Sequence, residues 1–210
     1  MVATGSAQAQ EENSRQVVQA LRERVFQYLA KAQELMEAED YAGAKRELDD
    51  ARGVTNLNSY ELGSILYFSG LVEYQRDNLA AAVDLFEKAV ALPDLPQGFR
   101  TDTIWALVQL AMAAEEYRKV LEYGNEWLRT AENPSGDPFY LLAVAHYQLK
   151  EYRKTVEMMD RAIEIAERDG DYAREDWYGL LRAGLHELGD TKRLRNVLEF
   201  LVARWPKKEY

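Results

Sequence analysis

Two histidines and three short carboxylate runs are the groups in this 210-residue chain whose types would suit acid–base or metal chemistry. A metal site needs several ligands converging on one point, such as two histidines one helical turn apart. Neither His146 nor His186 has a second histidine at that spacing, and Glu187 beside His186 lies on the wrong helical azimuth to chelate with it. The chain has no cysteine, so thiolate ligands, disulfides and a thiol nucleophile are all excluded. The runs Glu37-Ala38-Glu39-Asp40, Asp49-Asp50 and Glu115-Glu116 would need burial to drive one carboxyl pKa upward and divide acid from base. They fall where helices end or face water. No G-x-x-x-x-G-K-S/T phosphate loop and no G-x-S-x-G nucleophile turn occurs. The expectation is a chain with no catalytic residue, no metal and no cofactor. His146 and His186 are then packed or surface-lining groups.

Charge narrows the partner class. There are 26 basic and 36 acidic residues, a formal net charge of −10, which disfavours nucleic acid and anionic membrane surfaces. The basic steps Arg153-Lys154, Lys192-Arg193 and Lys207-Lys208 are too small to reverse that balance. No apolar run approaches the roughly 20 residues needed to span a bilayer, so direct membrane insertion is not expected. The remaining partner class is another protein or a peptide.

The elements that would carry these groups are helical. Val17, Val18, Leu21, Val25, Tyr28, Leu29, Ala32 and Leu35 recur at three- and four-residue steps. Turns follow at almost fixed intervals. Counting from the first residue of each later helix, Tyr41, Leu79, Tyr117, Tyr152 and Thr191 lie 38, 38, 35 and 39 residues apart. Ala44, Ala82, Val120, Thr155 and Leu194 stand behind them, followed by Leu48, Phe86, Gly124, Met159 and Leu198. A period of this size means stacked helix pairs, each with an apolar face too wide for its own partner to cover. Small residues (Ala44, Gly70, Ala82, Ala143, Ala162) mark the close approaches, and Leu48, Phe86, Met159 and Leu198 fill the space beyond. The expected units are 17–56, 57–95, 96–134, 135–170 and 171–206, after a polar, non-periodic segment 1–16 that reads as disordered. Asp137 is the expected N-cap of a helix beginning at Pro138, Gly170 is expected to end the helix from Tyr152, and the next is expected from Tyr172. No strand is expected.

The stretches Tyr140–Leu149 with Glu151-Tyr152, and Phe68–Tyr74 with Asp77–Ala82, resemble tetratricopeptide repeats. The resemblance runs from about Val25 to Pro206, with departures at Gly124 and Leu194. It implies an all-α, right-handed superhelical solenoid of about five helix–turn–helix repeats. Leu92–Gly98, Trp127-Leu128, Ala131–Pro134 and Leu201–Tyr210 further resemble periplasmic repeat proteins labelled as components of the TonB energy-transduction system. That resemblance implies export, a partner in an envelope transport complex, and more repeats downstream. The A-x-A step Ala7-Gln8-Ala9 has the form of a signal-peptidase site, and no charged or apolar leader precedes it. It reads either as the remnant of a trimmed export signal or as an Ala-rich tail of a cytoplasmic chain.

In this family the first helix of each pair lines the concave surface. Carried across by register, the inward positions are Leu29, Gln33 and Met36; Tyr67, Leu71 and Tyr74; Trp105, Gln109 and Met112; Tyr140, Val144 and Tyr147; and Gly179, Ala183 and His186. No Lys or Arg is among them, so a clamp for a terminal carboxylate is not expected. The rings form an aromatic strip suited to an extended peptide or the apolar face of a helix, unless they pack only against neighbouring helices. The expected function is a non-catalytic scaffold. The alternative is a homo-oligomeric structural subunit. The final helix carries Leu194, Val197, Leu198 and Leu201 with nothing helical after Pro206, so either residues 207–210 are a cut end or that face meets another copy.

Overall fold

The structure, a computed structural model, describes residues 21–168 and 172–206. The polar segment 1–16, Val17 and Val18, the Ala7-Gln8-Ala9 step, Gly170 and the terminus 207–210 lie outside the described residues. Among the described residues ten helices follow one another: α1 (Glu23–Glu37), α2 (Tyr41–Arg52), α3 (Ser59–Gln75), α4 (Leu79–Val90), α5 (Gln97–Ala113), α6 (Tyr117–Thr130), α7 (Gly136–Gln148), α8 (Tyr152–Arg168), α9 (Glu175–Leu188) and α10 (Thr191–Arg204). No strand occurs among the described residues. The chain divides into two compact units, Met1–Thr103 and Ile104–Tyr210.

The turn inside each pair is the same device five times. Glu39, Asp77, Glu115, Lys150 and Gly189 all have positive φ, between 57° and 69°. Each sits two residues before the second helix of its pair. Its N–H donates to the carbonyl three residues back, and the next N–H donates to the carbonyl five back, as in Asp40 to Leu35, Glu151 to His146 and Asp190 to Leu185. This is the Schellman pattern, which satisfies the last carbonyls of the first helix and reverses the chain. Only the fifth turn uses glycine, the residue that adopts this conformation without a Cβ penalty. The side chains of Asp40 and Asp190 then accept from the N–H groups of Gly43 and Arg193, capping α2 and α10.

In the first unit, Val25, Leu29 and Ala32 of α1 meet Ala44, Leu48 and Ala51 of α2 and Ile65 and Val72 of α3. Gly70 lets α3 close onto the Phe86 ring, where an added Cβ would stand 3.0 Å from it. A polar contact is built into the same unit. Glu61, with no exposed surface, accepts from the Arg22 main chain at 3.0 Å and from its guanidinium at 2.7 Å. Glu61 also accepts from Asn58 N–H and completes a capping box at the start of α3. Arg22 reaches on to the carbonyls of Thr55 and Asn56.

In the second unit, the larger core joins Phe139 and Ala143 of α7, Val156, Met159 and Ala162 of α8, Trp177, Leu181 and Leu185 of α9, and Leu201 of α10. Gly124 is buried because Leu142 of α7 fills the space its side chain would need. The bulk missing from α6 is supplied by the next first helix. Gly136 lies under the Trp177 ring and 2.7 Å (as an added Cβ) from the Ala162 carbonyl.

Ala44, Ala82, Ala143 and Ala162 are fully enclosed, as the small-residue pattern predicts. Two helix starts differ. α7 begins at Gly136, with Ser135 and not Asp137 at the N-cap, because a proline fits anywhere in a first turn whose N–H groups are unpaired. α9 begins at Glu175, three residues after the expected Tyr172.

Candidate protein-binding surfaces

The register positions Tyr67, Leu71 and Tyr74 fall one and two turns apart on α3, as do Trp105, Gln109 and Met112 on α5 and Tyr140, Val144 and Tyr147 on α7. Such spacing places each triplet on one helical face. None of these nine residues is fully buried, and Tyr74 and Gln109 are exposed, as are Gln33 on α1 and His186 on α9; Leu29, expected to face inward from α1, is instead a core residue packed against α2 and α3. The rings are nonetheless shared with neighbouring helices.

In the first unit Tyr67 packs edge-on against Phe86 and Phe99 at 5.2 and 5.9 Å. Burial, with Asp102 nearby, pushes its phenol pKa upward. Tyr74, two turns on, is 42% exposed. In the second unit Trp105 leans on Trp127 at 4.8 Å, and Tyr147 on Tyr152 at 5.5 Å. Tyr140 stacks on Trp177 at 5.6 Å with only 11° between the rings. Arg174 lies over both, 4.9 Å from the Trp177 ring, and is held by Asp137 and Asp176. Burial and then Asp176 raise the Tyr140 pKa. Tyr67, Trp105, Tyr140 and Tyr147 are each packed against another ring and only partly buried, while Tyr74 is exposed. Arg174 and Trp177, which brace Tyr140, were not legible as site residues, since neither occupies an inward register position.

The two histidines part company. His146 is nearly buried, and its Nδ1 lies 2.8 Å from a Glu151 carboxylate oxygen. Burial outweighs that partner and lowers its pKa, so the neutral ring donates Nδ1–H to Glu151. Lys154 and then His146 hold the Glu151 carboxyl below its ordinary value. His146 is a packed residue. His186 is exposed, its Nδ1 3.7 Å from Glu187, beyond hydrogen-bonding distance. It lines a cavity of about 310 Å³ with Tyr147, Arg182, Ala183, Glu187, Leu194 and Leu198. Among the described residues no three His, Asp or Glu side chains gather as metal ligands, and no helix is long and apolar enough to cross a membrane.

The four apolar positions expected on a self-association face separate. Leu194, Val197 and Leu198 are half-buried. Leu201 has no exposed surface. It points into the α7–α9 core and is removed from any contact face.

No protein-family model and no curated protein sequence matches this chain. Solved structures do. MamA (41-end) from Desulfovibrio magneticus RS-1 superposes with a TM-score of 0.67 at 15% identity, over 88% of this chain and 96% of that one. A tetratricopeptide repeat protein from Parabacteroides merdae ATCC 43184 gives 0.67 at 14% identity, over 89% and 69% of the two chains. The apo form of RapI gives 0.69 at 14%, over 97% and 60%. The fold is a tetratricopeptide repeat array. Within that array the aromatic triplets occupy first helices α3, α5 and α7, and the 310 Å³ cavity opens beside α9 and α10.

Proposed function

We propose that this repeat array is a non-catalytic scaffold that binds protein segments on the ring-bearing faces of its first helices. The observation that carries the reading is the state of those rings. Tyr140 is stacked on Trp177 and bridged by Arg174, so it is held in place while remaining only partly buried. Rigid, amphipathic rings give contact area at small entropic cost, the property that makes Tyr and Trp frequent at binding hot spots. The absence of Lys and Arg from the triplets favours segments whose own side chains are apolar or proline-rich over those recognised by charge.

The setting we propose is the periplasm, in association with an envelope transport system of the TonB type. Support comes from the A-x-A step at Ala7-Gln8-Ala9 and from the likeness of Leu92–Gly98 and Leu201–Tyr210 to repeat proteins of that system. A photoreactive residue at position 105, with the captured protein identified by mass, tests both partner and place. Capture of an envelope transport protein, lost on Tyr140→Ala with helicity unchanged, is the expected result. Capture that is indifferent to Tyr140→Ala overturns the surface, and capture confined to cytoplasmic proteins overturns the setting.

A further inference from the structure

The inward triplets carry no charge, but the position one turn before them does. Asp102, Asp137 and Asp176 stand three residues before Trp105, Tyr140 and Gly179 on α5, α7 and α9, and all three are exposed. Residues three apart share a helical face, so each carboxylate extends the face of the triplet that follows it.

In the second unit two of these carboxylates hold a cation of the chain itself. The Arg174 guanidinium lies 3.0 Å from Asp137 and 3.4 Å from Asp176, and over the rings of Tyr140 and Trp177 at 5.7 and 4.9 Å. A guanidinium suits such a place, because its plane stacks on aromatic faces while its N–H fork meets a carboxylate edge. Tyr140 and Asp176 are close neighbours: after burial, Asp176 is what raises the phenol pKa.

The first unit repeats the ring and the acid. Tyr67 of α3 meets the Phe99 ring of α5 at 5.9 Å. Asp102 lies one turn beyond Phe99 on the same helix, and after burial it is the charge that raises the Tyr67 pKa. The tyrosine and its acid are 35 residues apart here and 36 apart in the second unit. Tyr67 and Phe99 are only partly buried, and Asp102 is exposed. Among the described residues no lysine or arginine pairs with Asp102. The cation nearest to it in the sequence, Arg100, is engaged by the carbonyls of Val90 and Leu92 at the end of α4. The net charge of −10 draws a cationic segment towards the chain as a whole.

We infer that Tyr67, Phe99 and Asp102 form a guanidinium-binding station, at which an arginine of the bound protein segment pairs with Asp102 and lies along the two rings, as Arg174 does among Asp137, Asp176, Tyr140 and Trp177. The inference rests on the scaffold reading, and it adds one required charged side chain to a segment that is otherwise apolar or proline-rich.

The test selects ligands for the full chain from a random library of short peptides displayed on phage. The expected result is enrichment of peptides that carry arginine. In fluorescence anisotropy near physiological salt, exchanging the arginines of the tightest peptide one at a time for citrulline, which keeps the shape and removes the charge, should find one position that weakens binding about tenfold or more. Lysine at that position should bind more weakly than arginine, since an ammonium lacks the planar fork. Asp102→Asn, at an exposed position, should weaken the arginine peptide by a similar factor with helicity retained by circular dichroism, and should leave the citrulline peptide unaffected. Equal binding of the arginine peptide and its citrulline or lysine form overturns the station, as does an Asp102→Asn effect that is absent or the same for arginine and citrulline. Enrichment of peptides without arginine also overturns it, and leaves the scaffold reading standing. Failure to enrich any peptide removes both.

Discussion

Glu61 accepts hydrogen bonds from both the main chain and the guanidinium of Arg22, a residue 39 positions earlier. The contact ties the residue that enters α1 to the first turn of α3. The carboxylate has no exposed surface, and the Arg22 hydrogen bonds hold its pKa down at about 2.

A carboxyl whose pKa is depressed on folding stabilises the fold above its unfolded pKa and loses that contribution as pH falls through the folded value. For Glu61 the window runs from about pH 4.5 to about pH 2. Glu61→Gln should lower stability by about 2–3 kcal/mol at pH 7, and the difference from the parent chain should vanish as pH approaches 2. Urea unfolding at a series of pH values checks this; a constant difference down to pH 2 would contradict it.

His146 carries the opposite charge rule. Burial lowers its pKa, so the neutral ring is the native form. Its contribution to stability is present above the unfolded pKa, about 6.5, and declines as pH falls below it. His146→Gln should flatten the stability profile as pH falls below about 6.5. An NMR titration of the native ring should give a midpoint below the ordinary histidine value; a midpoint above it is inconsistent with this geometry.

The repeated turn gives a prediction of opposite signs. Lys150 and Gly189 hold equivalent positions with φ of 60° and 69°. Lys150→Gly should be neutral or stabilising, because relief of the left-handed strain is offset by added freedom in the unfolded chain. Gly189→Val should destabilise by about 1–2 kcal/mol. Thermal melts of the two variants decide it, and equal effects would sink the assignment.

Rings on one helix should also separate. Tyr67→Ala removes a ring packed against Phe86 and Phe99 and should cost about 2–3 kcal/mol of stability. Tyr74→Ala, at an exposed position, should change stability by less than about 0.5 kcal/mol while weakening partner capture. A loss of stability at Tyr74 comparable to that at Tyr67 would show that both are core residues.

The repeat was legible because its constraints are local and recurrent. Ala44, Ala82 and Ala162 are small where helices must touch, and an apolar period of 3.6 residues leaves few options for the chain between them. Gly124 looked like a departure, since the residue that fills its space, Leu142, belongs to another helix. The Arg22–Glu61 contact was equally hidden, because nothing in either local segment shows that a distant partner completes it. The rings at Tyr67, Trp105 and Tyr140 lie on the first helices α3, α5 and α7. How far each is covered depends on Phe99, Trp127 and Trp177, which only the packed fold brings alongside. Leu201 was misplaced for a related reason: Leu198 and Leu201 are both leucines on one helix, and the rotation of α10 decides which of them meets water.

The meeting of Gly124 and Leu142 bears on how such a chain can change over generations. A duplication or deletion that cuts between α6 and α7 separates a hollow from the side chain that occupies it. The new neighbours would either collide or leave a void. Whole pairs are therefore not interchangeable beads; the heritable module at this joint is a second helix together with the first helix that follows it.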